Sequence, residues 1–473
     1  MQINGRSFPV TQEAWAVINA IINAGGTPYI VGGSVRDYML NLEVNDYDLE
    51  IYKLNSEQIK AAVNHLGVIS ITGQKFRVMK LRTKSGTTFD LSIPRRETKT
   101  GPLHTDYIID ADPEMDIFQA CLRRDYTVNS AMYNPVLDEL YDFYGAMRDV
   151  QLRTLRPTSN QYDKDALRVL RGMQIAGRKG FRFASAYQPL TRAMMLEYSD
   201  LSRERIWEEW VKWAGMSRYP SMGIEFLVDT GWIDLYPELK NMMGSKQDPI
   251  WHPEGDAFVH TLSTVDEMHD ICKREGIPYE SEERVKLMLA ILQHDIAKPK
   301  TMIIDTDGRI HNPGHDQLGA AMVPGFMEKI GRVNPDQKSE DKLVSNIQTL
   351  VANHMRHVGL DSPSKRTVRR MALDVDNLQH LAYVVEADHS GRKPNKGGLP
   401  PQMQAIMRVA SEVSLETTKP KPYLKGDILI ELGMKQGKDI GRVIAASFEA
   451  QLDGEFEDVD GAVKWAKSHL GIE

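Results

Sequence analysis

One stretch constrains this chain more than any other. Tyr29-Ile30-Val31, a short apolar run, leads directly into Gly32-Gly33-Ser34-Val35-Arg36-Asp37, and Asp46-Tyr47-Asp48 follows. An apolar run ending in glycines reads as a buried strand. Ser34 is placed to cap a helix, VRDYML, and DYDLEIY reads as the next strand. Strand side chains alternate between faces, so Asp46 and Asp48 project from the same side. Asp90, in the strand-like TTFDLSI, offers a third carboxylate. Carboxylates gathered on one face suit Mg²⁺, which prefers oxygen ligands and is commonly shared with triphosphate oxygens. Two such ions would activate a 3′-hydroxyl and stabilise a leaving pyrophosphate. Gly32 and Gly33 let backbone amides approach a phosphate, the following helix N-terminus favours negative charge, and Arg36 adds a charged fork. Asp-x-Asp alone is most often a surface turn; these upstream parts make it a triphosphate-and-metal arrangement.

The chain has 473 residues, 41% hydrophobic and 26% charged, enough for several ordinary globular domains. Alternating strand and helix signals place a mixed sheet with helices at 1–137. Helical periodicity then predicts a neck at 138–246, a histidine-bearing helical domain at 247–395 and a helical tail at 396–473. The class is therefore α+β. No apolar run reaches the length of a membrane span, and the start lacks a basic-then-apolar leader. Cys121 and Cys272 are far apart without a pairing motif, as in a cytoplasmic protein with reduced thiols. Net charge is −7, yet 148–182 carries nine Lys/Arg against three Asp/Glu, a local excess that suits phosphate contact within an acidic protein. No segment demands an obligate protein partner, and a homodimer stays open.

The opening motif resembles the first motif of the class II tRNA nucleotidyltransferases and their bacterial poly(A) polymerase relatives, within the DNA polymerase β superfamily. The similarity continues in order. Arg123-Arg124-Asp125-Tyr126-Thr127-Val128-Asn129 resembles the second motif, which implies contacts to the nucleotide's sugar and base. Asp142–Asp149, DFYGAMRD, resembles the hinge motif, with Ala146 where the family has a second glycine. Asp165-x-x-Arg168 resembles the fourth motif, a protein template for the incoming base, and Arg171 lies one turn on. Lys164 stands where the family usually has Glu. Arg203-Glu204-Arg205 resembles the fifth motif. At spacing i, i+3 Asp165 and Arg168 would share a helix face. Asp only accepts and Arg only donates, which matches cytosine and adenine and leaves groups unpaired against guanine and uracil.

Ten of thirteen histidines lie between His252 and His389. His260, the pair His294-Asp295 and Asp388 occupy helical patterns, and His294-Asp295 ends a strongly apolar helix. They are expected to hold a divalent metal such as Mg²⁺, Mn²⁺ or Ni²⁺, with His315 and His354 extending the set. This stretch resembles the HD phosphohydrolase domain, with Lys298 and Pro299 after the pair and His252 and Asp256 at its entry. The domain order is similar to that of a subgroup of bacterial CCA-adding enzymes. That resemblance implies addition of CCA to the tRNA acceptor end from CTP and ATP, with phosphatase and 2′,3′-cyclic phosphodiesterase activity in the HD domain. Addition of A alone, of CC alone, or of poly(A) tails are the related alternatives; a hydrolase whose front half mainly holds RNA, or an RNA-binding protein without either activity, are the unrelated ones. The segment PRRETKTGPLHTDYIIDADPEMD falls where the family has a flexible loop governing the C-to-A switch.

Overall fold

The structure, a computed structural model, describes residues 7–44, 46–72, 78–99, 107–333, 341–375, 377–394 and 397–471. The chain forms two compact units, 1–213 with 222–235, and 214–221 with 236–473.

The first unit is built on a seven-stranded sheet: β1 (Thr27–Val31), β2 (Tyr47–Tyr52), β3 (Gly67–Thr72), β4 (Val78–Thr83), β5 (Thr88–Ser92), β8 (Met132–Asn134) and β9 (Glu139–Tyr141), in the order β3-β4-β5-β2-β1-β8-β9. Only β2 and β5 run parallel; every other neighbour is antiparallel. β9 lies beyond 137, so the sheet reaches past the expected end of the first domain. A separate hairpin, β6 (Arg95–Lys99) with β7 (Tyr107–Ala111), occupies the segment expected as a flexible loop; its residues 100–106 lie outside those described.

Helices α1 (Gln12–Asn23), α2 (Gly33–Met39), α3 (Ser56–Val63), α4 (Ile117–Leu122) and α5 (Ala146–Gln151) surround the sheet, and α6 (Leu167–Lys179) and α7 (Gln188–Met194) follow. Asp142 fixes the start of α5 by accepting from the amides of Gly145, Ala146 and Met147 at 2.9, 2.7 and 2.9 Å. This gives the hinge-like DFYGAMRD a local physical role: its Asp satisfies amides that a helix start leaves unpaired. In α6, a Cβ at Gly172 would lie 2.1 Å from the Tyr126 hydroxyl and 2.3 Å from Phe226. Only glycine allows that approach, and Tyr126 uses it to donate to the Arg168 carbonyl at 3.0 Å.

α8 (Arg203–Met216) and α9 (Pro220–Thr230) precede α10 (Pro237–Lys240). The second unit contains α11 (Ala257–Arg274), α12 (Glu282–Gln293), α13 (Lys298–Thr301), α14 (His315–Lys329), α15 (Lys342–Asn353), α16 (Lys365–Asp374) and α17 (Leu378–Ser390). α12 packs against α11, α15 and α17, and α14 against α15. Every residue from Leu287 to Ile291 is fully buried, which places the end of α12 in the middle of the bundle. The tail, α18 (Pro401–Glu412), α19 (Gly426–Glu431), α20 (Lys438–Asp453) and α21 (Val459–Leu470), has a small core of its own around Leu429, Val443, Phe456 and Ala466. Both cysteines are buried and free. No helix among the described residues is long and apolar enough to cross a membrane.

Candidate active sites

The carboxylate face of the first unit follows from strand register. In the parallel β2–β5 pair, Tyr47 aligns with Phe89 and Asp48 with Asp90. The two rings stack at 5.5 Å in the core, so the alternating pattern sends Asp48 and Asp90 together to the opposite face. Asp46 is exposed and lies one residue before β2 rather than within it, as had been expected. Burial, followed by the charges of Asp90 and Asp46, raises the Asp48 carboxyl to about 6. Burial also raises that of Asp90, although Lys80 stands 3.7 Å away. One Asp90 oxygen, Oδ1, is buried without a hydrogen-bond partner. Crowded carboxylates with spare oxygen lone pairs are a fitting donor set for a hard divalent cation. Glu50, further along β2, is a buried carboxylate that the motif reading passed over. It accepts from the Tyr52 hydroxyl at 3.0 Å and pairs with Arg124 at 3.1 Å.

The glycine turn closes over these acids. Gly32 has φ of 65°, which favours glycine, and a Cβ there would meet Asp48 Oδ2 at 3.2 Å and Arg124 Nη1 at 3.5 Å. α2 begins at Gly33, and its N-terminus has no side-chain cap. The expectation that Ser34 caps this helix is corrected. Its buried hydroxyl donates to the Asp46 carbonyl at 2.8 Å and accepts from the Asp48 amide at 3.2 Å, tying the turn to the acid-bearing strand. Arg36 also differs from the expected phosphate fork. It is 6% exposed and bonds to Asp37 at 2.9 Å and Asn129 at 2.8 Å.

Those bonds belong to a longer chain of polar contacts. Lys179 pairs with Asp37 at 2.7 Å, Asn129 donates to Asp125 at 3.0 Å, and Arg171 pairs with Asp125 at 2.9 Å. The chain therefore starts and ends on α6, running through both N-terminal motifs. Burial pushes the Asp125 carboxyl up, but Arg171, the Asn129 amide and the Tyr126 amide outweigh it and hold it at about 2. Arg123 donates to the Arg95 carbonyl. Much of the basic excess of 148–182 thus has internal partners: Arg156 holds Asp149, and Arg153 the Lys179 carbonyl, in addition to Arg171 and Lys179.

Asp165 and Arg168 do not share a helix face. Asp165 is extended, with φ −143° and ψ 105°, and α6 starts two residues later. Its carboxylate accepts from the Leu167 amide at 3.1 Å and pairs with Arg205 at 2.6 Å. Arg168 donates to the carbonyls of Gln161 at 2.7 Å and Arg123 at 2.8 Å. The hydrogen bond from the Leu167 amide holds Asp165 just ahead of α6, whose N-cap is Ala166, and so outside the helical repeat.

In the second unit, six sequence-predicted residues converge. His260 comes from α11, His294 and Asp295 from the end of α12, His315 from the start of α14, His354 from the end of α15 and Asp388 from α17. All are at most 6% exposed. His260 Nε2 lies 3.0 Å from Asp388, and His294 Nε2 lies 3.2 Å from Asp295. Asp295 Oδ1 lies 3.4 Å from His315 and 4.0 Å from His354. The donors fall into two clusters, His260–His294–Asp388 and Asp295–His315–His354.

The hydrogen bonds behind the rings decide what faces inward. The Nδ1 atoms of His294, His315 and His354 each contact a backbone carbonyl at 2.7 Å, those of Ile291, Asn312 and Val351. A carbonyl can only accept, so Nδ1 carries a proton, and it is Nε2 of the neutral ring that offers its lone pair inward. Yet the Nε2 atoms of His315 and His354 are 3.2 Å apart, and His294 Nε2 is buried with no hydrogen-bond partner. Lone pairs converging in a buried space fit a cation between them. Burial, then neighbouring His294 and His315, pushes His354 down to about 3, keeping it neutral and able to ligate. Glu254, which sequence reasoning did not single out, accepts from His252 Nδ1 at 2.9 Å and His260 Nδ1 at 2.6 Å. Lys298 reaches Asp295 at 2.6 Å, and Arg392, also missed, reaches Asp388 at 2.9 Å.

Two stretches of the chain match known families. Residues 28–156 match the Poly A polymerase head domain family and residues 257–386 the HD domain family. The Multifunctional CCA proteins of two strains of Xanthomonas campestris pv. campestris, B100 and ATCC 33913, are each 30% identical over 397 residues, covering 80% of this chain and 89% of theirs. The chain belongs to the multifunctional CCA protein family, the bacterial CCA-adding type with an HD domain. Solved CCA-adding enzymes share the fold at low identity. The Bacillus stearothermophilus enzyme, in complex with CTP, has a TM-score of 0.59 at 16% identity, covering 98% of both chains. The Thermotoga maritima enzyme, complexed with tRNA, has a TM-score of 0.56 at 16% identity, covering 99% of this chain and 97% of that one. Family membership and the mixed-sheet-then-helical fold agree with the reading of the motifs.

Proposed function

We propose that this chain adds CCA to the 3′ end of tRNA from CTP and ATP without a nucleic-acid template, and that its HD domain hydrolyses phosphate esters, 2′,3′-cyclic phosphates among them. The observation that carries the transferase reading is the register of Asp48 against Asp90 beneath the Gly32 turn. Asp46, Asp48 and Asp90 would hold Mg²⁺, which supplies Lewis-acid stabilisation of the transferring phosphoryl group and its leaving pyrophosphate. The chain's own residues do the rest. Backbone amides at Gly33 and Ser34, free at the start of α2, receive triphosphate oxygens. Arg123, Arg124, Asp125 and Asn129 are the proposed sugar and base contacts; Arg124 lies beside the Gly32 turn, held by its ion pair with Glu50. Arg36 supports the turn from behind.

Asp165 and Arg168, with Arg171 beside them on the polar chain, remain the proposed base readers. Their present partners show the polarity a base would meet: Asp165 accepts, here from Arg205, and Arg168 donates, here to carbonyls. A cytosine or adenine edge would replace those partners with an amino donor and a ring acceptor. In the HD domain, His260, His294, Asp295 and Asp388, joined by His315 and His354, would hold one or two divalent ions that supply a reactive hydroxide for phosphate-ester hydrolysis. The place of action is the cytoplasm, where tRNA ends are maintained.

Separation of the two activities tests the proposal. Asp46→Asn with Asp48→Asn should abolish nucleotide addition and spare hydrolysis, and Asp295→Asn should do the reverse. Addition that survives the first change would overturn the carboxylate assignment; hydrolysis that survives the second would overturn the HD assignment.

A further inference from the structure

The HD centre contains two cations that metal coordination does not need. Arg392 sits one turn beyond Asp388, where α17 has just ended, and its Nη2 contacts both Asp388 oxygens at 3.0 and 2.9 Å. Its Nε is buried with no hydrogen-bond partner. Lys298, 6% exposed, bonds to Gln247 Oε1 at 2.6 Å and lies 2.6 Å from Asp295 Oδ2. Gly391 makes the placement possible. A Cβ there would lie 2.5 Å from the Thr264 methyl, so only glycine lets the chain carry Arg392 this close to α11, which holds His260.

The local charge balance leaves room for an anion. Asp295, Asp388 and Glu254 set three carboxylates against Lys298 and Arg392, leaving one net negative charge among side chains that are mostly buried. One divalent ion makes the centre net positive, and two leave an excess of three. A buried excess of that size calls for an anion. A bound metal would share the carboxylate oxygens of Asp295 and Asp388 and so weaken their hold on Lys298 and Arg392. Both side chains then have donors free at the edge of the donor set, and Arg392 already has one to spare.

The geometry points to Arg392, with Lys298 beside it, as the phosphoryl-binding side of the HD site: the guanidinium takes two phosphoryl oxygens of the nucleic-acid end while the adjoining histidines and carboxylates hold the metal. A planar guanidinium fork matches two oxygens of a phosphoryl group, which an ammonium does not. This inference rests on the phosphohydrolase reading of that site.

The test uses full-length, Mn²⁺-loaded protein and inorganic phosphate as probe, titrated calorimetrically, with bound metal measured by elemental analysis. Wild type should bind phosphate. Arg392→Gln should weaken that binding by about tenfold or more, the effect of losing a charge-assisted fork, while keeping its metal. Arg392→Lys should recover part of the loss. Nucleotide addition by the same preparations verifies that the variants fold. Unchanged phosphate affinity in Arg392→Gln would overturn the inference alone. Loss of metal from Arg392→Gln would overturn it too, because Arg392 would then act only by holding Asp388. Wild type that loads metal and binds no phosphate would sink the phosphohydrolase reading itself, and this inference with it.

Discussion

Asp48→Asn should make the metal-free protein more stable and inactive as a transferase. The Asp48 carboxyl is raised to about 6 in the folded chain from the ordinary aspartate value of 3.8, by burial and then by Asp90 and Asp46. That difference corresponds to about 3 kcal/mol of destabilisation once the group is ionised in both states. The sign follows from which state holds the proton more tightly. A raised folded-state value favours the folded chain below about 4, and that advantage disappears as pH rises through 6. At pH 8 without metal, Asn in place of Asp removes the ionised oxygen and recovers up to about 3 kcal/mol; at pH 5 the gain falls to about half of that. Urea denaturation in EDTA at both pH values reads it directly. Mg²⁺ should raise the stability of wild type and not of the variant, because ligand binding to the folded state is what offsets the strain. A variant no more stable than wild type at pH 8, or a gain that grows as pH falls, would refute the idea that the carboxylate face is held in an electrostatically strained state.

Three further outcomes follow from geometry. Gly32→Ala would force a side chain into a left-handed turn 3.2 Å from the Asp48 carboxylate, costing about 1–3 kcal/mol and lowering CTP affinity; a melt and a CTP titration check both. Gly172→Ala would push α6 off Tyr126 and Phe226, an overpacking cost of about 1–3 kcal/mol, measurable as a lower denaturation midpoint. Glu254→Gln would weaken the acceptor that fixes the His260 ring, reducing metal affinity of the HD centre about tenfold while nucleotide addition is unchanged; competition with a metal chelator gives the number.

What the sequence made legible was whatever depends on local pattern. The strand before Gly32, the acid-bearing strand and the helical histidine segments follow from periodicity; the HD donors rest on the His-Asp pair and the resemblance to the HD domain, and the structure brings them together. What it hid was partner choice. Ser34 stands where a helix cap belongs, yet Asp46 and Asp48 compete for its hydroxyl through the backbone of the next strand. Arg36 looked like a phosphate ligand because its partner, Asn129, is 93 positions away. Asp165 and Arg168 matched a helix repeat, but Asp165 is extended ahead of the helix, its carboxylate accepting from the Leu167 amide. Glu254 and Arg392 carried no motif-level signal from residue type alone; their roles come from the bonds they make to His260 and Asp388. Each miss is a side chain satisfied by a group that folding brings near.

The most direct test is nucleotide incorporation on tRNA trimmed of its last three residues, with CTP alone, ATP alone and both together. The account predicts two C residues from CTP alone, nothing from ATP alone on the fully trimmed end, and a single terminal A once CC is present and both nucleotides are supplied. Addition of A only to ends already carrying CC, arrest after CC with both nucleotides present, or long A tails on unrelated RNA would contradict it.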